Sequence, residues 1–573
     1  MDLNYKFTDY LFTAPQHAAV LPARINDVEA ATHPVIIVGG GPVGLTLALS
    51  LANHGVRCIV IEQDASVCHG SRAICISRRS LQIFERLGVL DRFMAKGLPW
   101  TEGRSYFKTE EVLHFSMPHD AGQKLPPMLN IQQFYVEQFL AEAAERRRDM
   151  IDIRWNSSIT EVRNLGDCVQ ITVTTPLGVY STEGQWLVAC DGGRSFVREQ
   201  LGLQLQGTSY EGRYVVADIH LKSSLPTGRL AWFDPPSNPG SSILMHKQPD
   251  DVWRIDYQLG ADEDADAAVK AAAVIPRVRS HLHMIGESGD WSPIWITLYK
   301  AHALTLDRYR LGRTLFAGDA AHLLPIFGVR GANSGIDDAD NLGWKLALVL
   351  NRGASERLLD SYSEERVYAA RENLSAGAKS TEFMTPPSFA FEMMRSAVLS
   401  LAKNEESVRS LINPRQSAPV EYAESPLNLP PHEQGDFKRG PKPGNAVSDA
   451  RVRLMRGGVR RDGFLTDALS PYFDLICFTD GAIPSDIVAA VSEVAPRLEG
   501  LFLVQIGRTE SSADAHTFIH DSTGEIYDAF DAHWGTAYLI RPDGYVVARW
   551  REFGAAQLRR IAVRILQVSD GAA

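Results

Sequence analysis

Cysteine is scarce in this chain. Six residues, Cys58, Cys68, Cys75, Cys168, Cys190 and Cys477, are scattered along 573 positions with no CxxC pair. That spacing argues against a disulfide frame, a zinc site and a dithiol redox centre, and it leaves the thiols structural. Basic residues are not in excess either: the formal net charge is −11, which offers no global attraction for nucleic acid or anionic lipid. Long apolar runs are missing. The longest near the front, Leu45 to Ala52, falls well short of the ~20 residues of a membrane helix, and the N-terminal residues lack the layout of a signal peptide. The expectation is a cytoplasmic protein with no nucleic-acid partner, no membrane and no metal.

What is present fits an ordinary folded protein, with 45% hydrophobic and 22% charged residues. The length exceeds what one hydrophobic core supports, so two or three domains are expected. Residues 1–33 have no strong period and read as an arm. Residues 34–205 begin with a βαβ unit, "PVIIVGG", "GPVGLTLALSLANHG" and "VRCIVIEQ", and form the first part of a dinucleotide-binding α/β domain. Residues 206–300, with "YVVADIHL", "RLAWFD", "SSILMHKQ" and "VWRIDYQL", read as antiparallel hairpins. The α/β domain resumes over 301–405 with long helices. A proline-rich connector follows at 406–446, and a compact α/β domain over 447–573 has a hairpin turning at Pro542-Asp543-Gly544.

Gly39, Gly41 and Gly44 fill the three positions of GxGxxG between a strand and a helix. The first permits the tight turn, the second lets a pyrophosphate approach the backbone, and the third lets helix and strand pack closely. Glu62 closes the second strand, where a carboxylate accepts hydrogen bonds from ribose hydroxyls and repels a 2′-phosphate. FAD or NAD is therefore expected here rather than NADP. No second GxGxxG follows, which argues against disulfide reductases.

Two further motifs complete a set: "LVACDGGRSFVREQLG", with Asp191-Gly192, and "RTLFAGDAAHLLPIFGVRGANSGIDDADNLGWKLALVL", with Gly318-Asp319. Together with "GSRAICISRRSLQIFERLG" and "QQFYVEQFLAEAA", they make His33 to Arg371 resemble the FAD-dependent aromatic hydroxylases, single-component flavoprotein monooxygenases. The texture is similar to hydroxylases of the 3-(3-hydroxyphenyl)propionate type. The resemblance implies a Rossmann-like FAD-binding domain interrupted by a mostly antiparallel substrate domain, followed by a thioredoxin-like C-terminal domain. It implies FAD as cofactor, NADH or NADPH as transient co-substrate, and O2. A flavin C4a-hydroperoxide then hydroxylates a phenolic ring.

Residue by residue, the resemblance implies that Glu62 holds the adenosine ribose and that Asp319, next to Gly318, holds the ribityl or pyrophosphate end. Pro42, Val43 and Gln63 join the glycines around the cofactor, and Arg72 and Gln133 lie along its pyrophosphate and ribityl chain. Asp191 and Gly192 lie behind that segment. Gly331, Ala332 and Asn333 present N–H groups to the flavin edge, with Asn333 immediately preceding a long helix whose positive end faces the N1/C2=O region. Arg72 and Pro325 are the expected catalytic residues. Many family members have two adjacent prolines where this chain has Pro325-Ile326, so Ile326 alters the substrate side of the ring.

Further candidates for the pocket come from the antiparallel region: His246 and Tyr257, with Trp232 and Trp253 beside them. His322 is expected to be a structural hydrogen-bonder. Cys477, without a partner, points to a structural C-terminal domain at a subunit interface of a homodimer. Two alternatives stay open: a reductase or dehydrogenase that inserts no oxygen, and a non-catalytic flavin-binding redox sensor.

Overall fold

The structure, a computed structural model, describes residues 6–566 except 261, 326, 413–417 and 510–515. The run Val35–Val38 is buried throughout, as a strand covered by helices on both faces must be. It pairs in parallel with Cys58–Ile61 on one side and with Gly178–Ala189 on the other. Ile151–Arg154 extends the sheet beyond Cys58–Ile61, and Thr314–Phe316 adds in parallel to Gly178–Ala189. The helices Pro42–Asn53 and Gly331–Arg352 pack against each other, with Gly343 meeting Ser50 where a Cβ would stand 2.2 Å from its Oγ.

The first strand begins earlier than its apolar run suggests. It spans Val28–Val38 and forms a short hairpin with Arg24–Ile25, so the end of the expected arm is ordered structure. The polar residues there are held by an ion pair that local hydrophobicity cannot reveal: Arg154 donates Nη1 and Nη2 to the two Glu29 oxygens, each at 2.7 Å.

A second sheet of eight strands runs in the order His322–Leu323, Trp291–Thr305, Gln206–Leu221, Val252–Gln258, Ser242–Gln248, Arg229–Phe233, Glu102–Phe107 and Glu110–Ser116. It is mostly antiparallel, but it is larger than the 206–300 segment. The hairpin Glu102–Ser116 joins it from earlier in the chain, through a parallel pairing of Glu102–Phe107 with Arg229–Phe233. One face of this sheet is covered by the helix Ala271–Met284, which supplies Val274, Val278 and Leu282 to a core containing Trp232, Trp253, Ile255 and Tyr257.

A third sheet of seven strands forms the C-terminal unit. It is keyed into the first. Arg541 and Asp543 sit at the turn between Ala537–Ile540 and Val546–Trp550. Arg541 reaches Glu365 at 2.7 and 3.0 Å, and Glu365 also takes Lys345 at 2.8 Å, with all three side chains at most 1% exposed. Around this buried cluster Trp344 and Leu348 pack with Phe473 and Leu475, while the connector adds Tyr422 and Leu427. Among the described residues no helix is long and apolar enough to cross a membrane.

Candidate active site

Strand register brings the three motifs together. Ala189 is paired with both Val38 and Phe316, so the chain leaves three neighbouring parallel strands at one edge, as Gly39, Cys190-Asp191 and Ala317-Gly318-Asp319. Such a carboxyl edge is where α/β sheets bind ligands. The glycines are sterically required. A Cβ on Gly39, whose φ is +103°, would stand 2.4 Å from Cys190 O, and one on Gly44 would stand 2.0 Å from Gly39 O. By contrast, Cβ atoms on Gly41, Gly192 and Gly331 would meet nothing within 4 Å, so these glycines border open space. Pro42 starts the first helix, and the Val43 side chain is spent on packing, within 3 Å of where Cβ atoms of Gly318 and Gly335 would lie.

Glu62 binds the glycine turn itself. Its Oε2 accepts from Gly40 N at 2.6 Å and its Oε1 from Asp64 N at 2.8 Å. Burial raises its pKa, and those two N–H groups pull it back. Gln63 beside it is exposed. Asp191 accepts from Ser195 Oγ at 2.6 Å and from Val197 N at 3.0 Å, which secures the loop leading from Gly192, where φ is +80°. Asp319 lies deep in the protein, yet its side chain opens to the cleft. Burial there pushes its carboxyl up, while His322 and Arg72 draw it down.

The turn at Gly318 hangs on a buried hub. Asp338 accepts from Gly318 N at 2.8 Å, from His322 Nε2 at 2.8 Å and from Arg366 Nε at 2.5 Å. His322 is thus a structural hydrogen-bonder. Burial opposes ionisation of Asp338, but Arg366, His322 and the Gly318 N–H outweigh it and hold the carboxyl below its ordinary range.

The long helix starts at Gly331, so Asn333 falls in its first turn rather than before it. The N–H groups of Gly331, Ala332 and Asn333 are those that a helix leaves without intrahelical partners. The Asn333 side chain is fully committed. Its Oδ1 accepts from Ser77 N and Ser80 Oγ at 2.9 and 2.7 Å, and its Nδ2 donates to Cys75 O and Val329 O at 3.1 and 2.8 Å. Val329 is held at φ +59°, a left-handed conformation costly for a β-branched residue, immediately before the helix.

Opposite this edge, Gln133 opens the helix Gln133–Glu145 and ties down the 68–73 segment. It accepts from Ala73 N at 2.9 Å and donates to Glu137 at 2.8 Å, and Glu137 takes Cys68 N at 2.7 Å. Arg254 fixes the same segment from the second sheet, donating to Arg72 O at 2.9 Å and to Ser71 O while paired with Asp218 at 2.8 Å. The Arg72 guanidinium itself is exposed and makes no hydrogen bond or ion pair with the described residues. It lies close enough to Asp319 and Glu137 to pull both carboxyls down.

In the second sheet, alternation separates the substrate candidates. Arg229, His246, Arg254 and Asp218 lie side by side across four strands, and the next row is Ala231, Leu244, Asp256 and Val216. His246 is therefore on the face turned to the α/β domain. Burial, with Arg229 and Arg254 beside it, lowers its pKa to about 3, so at neutral pH it is an uncharged, weak base. Tyr257 pairs with Ile243 and belongs to the opposite face, buried under Ala271–Met284 with the Arg277 guanidinium 5.2 Å from its ring. The expectation that Tyr257 lines the pocket is corrected by this parity, and Trp232 and Trp253 share its face. Asp256, absent from the expected set, is on the site face with Oδ1 unpartnered, and burial lifts its pKa to about 7. A charge at alternate positions of "VWRIDYQL" was the sequence signal for it.

A cavity of about 330 Å³ lies between this face and the helix Arg357–Met384, with Arg229, Ala231, Phe233, Lys379, Phe383 and Met384 in its wall. Phe327, in the loop leading to Gly331, belongs to the same hydrophobic cluster as Ala231 and Phe233 of the cavity wall. Pro325 is buried against that same helix wall, where a Cβ on Gly377 would be 3.3 Å from its ring. Ile326 lies outside the described residues.

These residues fit FAD. An open glycine edge, a helix N-terminus for a pyrophosphate, a second helix N-terminus for the electron-rich ring and unspent Arg72 and Asp319 side chains surround one cleft.

Comparison with known proteins agrees. The family described as "FAD binding domain" matches residues 32–376. A 3-(3-hydroxy-phenyl)propionate/3-hydroxycinnamic acid hydroxylase of Mycolicibacterium smegmatis is 26% identical over 546 residues, covering 94% of each chain. A 6-methylpretetramide 4-monooxygenase of Streptomyces rimosus is 27% identical over 541 residues, 92% of this chain and 93% of that one. The crystal structure of the flavin-dependent monooxygenase PieE, in complex with FAD and substrate, shares the fold at a TM-score of 0.77 and 22% identity, covering 94% of this chain and 99% of that one.

Proposed function

We propose that this chain, which belongs to the FAD binding domain family, is, like the hydroxylases it is similar to, an NAD(P)H- and O2-dependent monooxygenase that hydroxylates a phenolic small molecule. The observation that carries this reading is the convergence of the three motifs and the free Arg72 on one cleft, beside a largely apolar cavity in the second sheet. A sensor that binds no substrate has no use for such a chamber.

The chemistry a bound FAD would supply is reduction by NAD(P)H and insertion of one atom of O2 into the ring, the other leaving as water. The protein's part is holding and shielding. Gly39, Gly41, Gly44 and the helix from Pro42 cradle the pyrophosphate, with Glu62 and Gln63 at the ribose. Gln133, Asp191, Gly192, Gly318 and Asp319 flank the chain between, and Gly331, Ala332 and Asn333 offer N–H groups where negative charge gathers on the ring. Arg72 meets the incoming nicotinamide nucleotide. Pro325 forms the chamber wall, and His246 contacts substrate as a neutral imidazole. Asp256 takes the phenol proton, its pKa matched to neutral pH. The 447–573 unit is thioredoxin-like, cannot cycle a disulfide through Cys477 alone, and serves as a structural appendage and homodimer contact.

The test is turnover of the holoenzyme with a panel of phenols under ¹⁸O2. One labelled oxygen in the product, with NAD(P)H oxidation accelerated by the phenol, supports the hydroxylase. Oxygen-independent turnover would establish the dehydrogenase instead, and no response to any phenol the sensor.

A further inference from the structure

Among the described residues, Arg229 is a buried cation with no partner for its guanidinium. It is 4% exposed, its Nη1 is buried without a partner, and its guanidinium makes no hydrogen bond or ion pair with the described residues. The other buried arginines described above are spent: Arg254 on Asp218, Arg366 on Asp338, Arg541 on Glu365 and Asp543. A guanidinium carries five N–H donors and does not give up its charge, and burying it unpaired is costly. An apolar side chain at the start of a buried strand would be cheaper.

Its surroundings say what the charge is for. Arg229 borders the 330 Å³ cavity, whose other walls include Ala231, Phe233, Phe383 and Met384. That volume is at the small end of ligand pockets and suits one aromatic ring with a short tail. The charged groups around it are few. His246 faces it across the sheet as a neutral imidazole, and Arg254 lies one strand beyond. Asp256 is diagonal to it, and the Cys75 thiol lies near enough to act on it. On the helical wall, Lys379 and Glu372 are both exposed at the mouth. Asp256 acts on Arg229 from a distance, but among the described residues no acid forms an ion pair with it.

We propose that Arg229 anchors a carboxylate on the aromatic substrate, whose ring lies among Ala231, Phe233, Phe383 and Met384. A planar fork matched to a planar carboxylate explains an arginine here where a neutral substrate would need none. The assignment rests on the hydroxylase reading, narrows its substrate class to phenolic acids, and makes the unpaired charge a specificity device: neutral analogues would leave it buried and unsatisfied.

Binding to the oxidised holoenzyme tests this without NAD(P)H or turnover, so its failure is separable from failure of the hydroxylase reading, which the ¹⁸O2 experiment judges. The probes are 3-(3-hydroxyphenyl)propionate, its primary amide and 3-phenylpropionate, followed by flavin absorbance and calorimetry. In wild type the acid binds about 30-fold more tightly than the amide, the scale of a charge-assisted pair, and 3-phenylpropionate keeps most of that advantage. R229M brings the acid down to the level of the amide and leaves the amide within about 3-fold of wild type, while R229K keeps part of the preference. Thermal stability supplies the second readout: R229M melts at or above the wild-type temperature, because no internal partner is lost. Wild-type protein that binds the acid no better than the amide overturns the proposal. So does an acid preference that survives R229M, an advantage that follows the phenol hydroxyl instead of the carboxylate, or an R229M protein that melts well below wild type.

Discussion

Asp338→Leu and Arg366→Met, alone and together, test whether the Gly318-Asp319 turn is held by a buried ion pair. Both side chains are at most 2% exposed. With leucine at 338, Arg366 keeps its bonds to Ser334 O and Oγ at 3.0 Å but loses its counter-charge. Breaking one side of a buried pair costs about 3–5 kcal/mol. The freed Gly318 N–H adds about 1–3 kcal/mol if water cannot reach it. Arg366→Met is the milder single change, because Asp338 retains His322 and Gly318 N at 2.8 Å each. Its cost is about 2–4 kcal/mol. The double variant strands neither charge. It should cost no more than Asp338→Leu alone, which leaves a coupling energy of about 2–4 kcal/mol. The assay is urea unfolding followed by tryptophan fluorescence, with FAD retention on gel filtration as the functional readout. Asp338→Leu should also lose flavin, because Gly318 sets the position of Asp319. Costs that add within about 0.5 kcal/mol, or an Asp338→Leu protein with full flavin and less than about 1 kcal/mol lost, would refute the hub.

Two predictions concern pH. Burial lifts Asp256 to about 7, so it is protonated below that value and ionised above it. If it accepts the phenol proton, kcat/KM climbs with pH and levels off above about 7. Asp256→Asn should lower the plateau by about 10²–10⁴-fold and erase that limb, and a limb that persists in the variant rules the role out. Glu29 behaves oppositely. Burial opposes its ionisation, but Arg154, His33 and Thr182 bring its pKa down to about 2. Its contribution is fully present above the ordinary carboxyl value and fades as pH falls from about 4.5 towards 2. The difference in melting temperature between wild type and Glu29→Gln should therefore narrow over that interval, and a constant difference would mean that the Arg154 pair does not stabilise the hairpin.

Much of the cofactor cleft is legible in the chain because its signals are local. Gly39, Gly41, Gly44 and Glu62 sit at spacings that one strand, one turn and one helix impose. The hairpin at Pro542-Asp543-Gly544 announces itself in the same way. Asn333 is half legible: the helix it belongs to is evident, but its side chain is committed to Ser77, Ser80 and Cys75, contacts made across more than 250 residues. Tyr257 shows how the reading fails. Tyrosine and histidine in neighbouring strands look equally eligible for a pocket, and only the pairing of Ile243 with Tyr257 and of His246 with Arg254 sends them to opposite faces.

The amino-acid order alone determined the elements and the motif that grips a dinucleotide, since strand period, helix caps and glycine turns depend on a few consecutive residues. Tertiary structure decided which charges go unpaired. Arg229 and Arg254 are indistinguishable as letters, yet one faces Asp218 and the other a cavity, because partnership between buried ions is settled by strand register and by what packs across it.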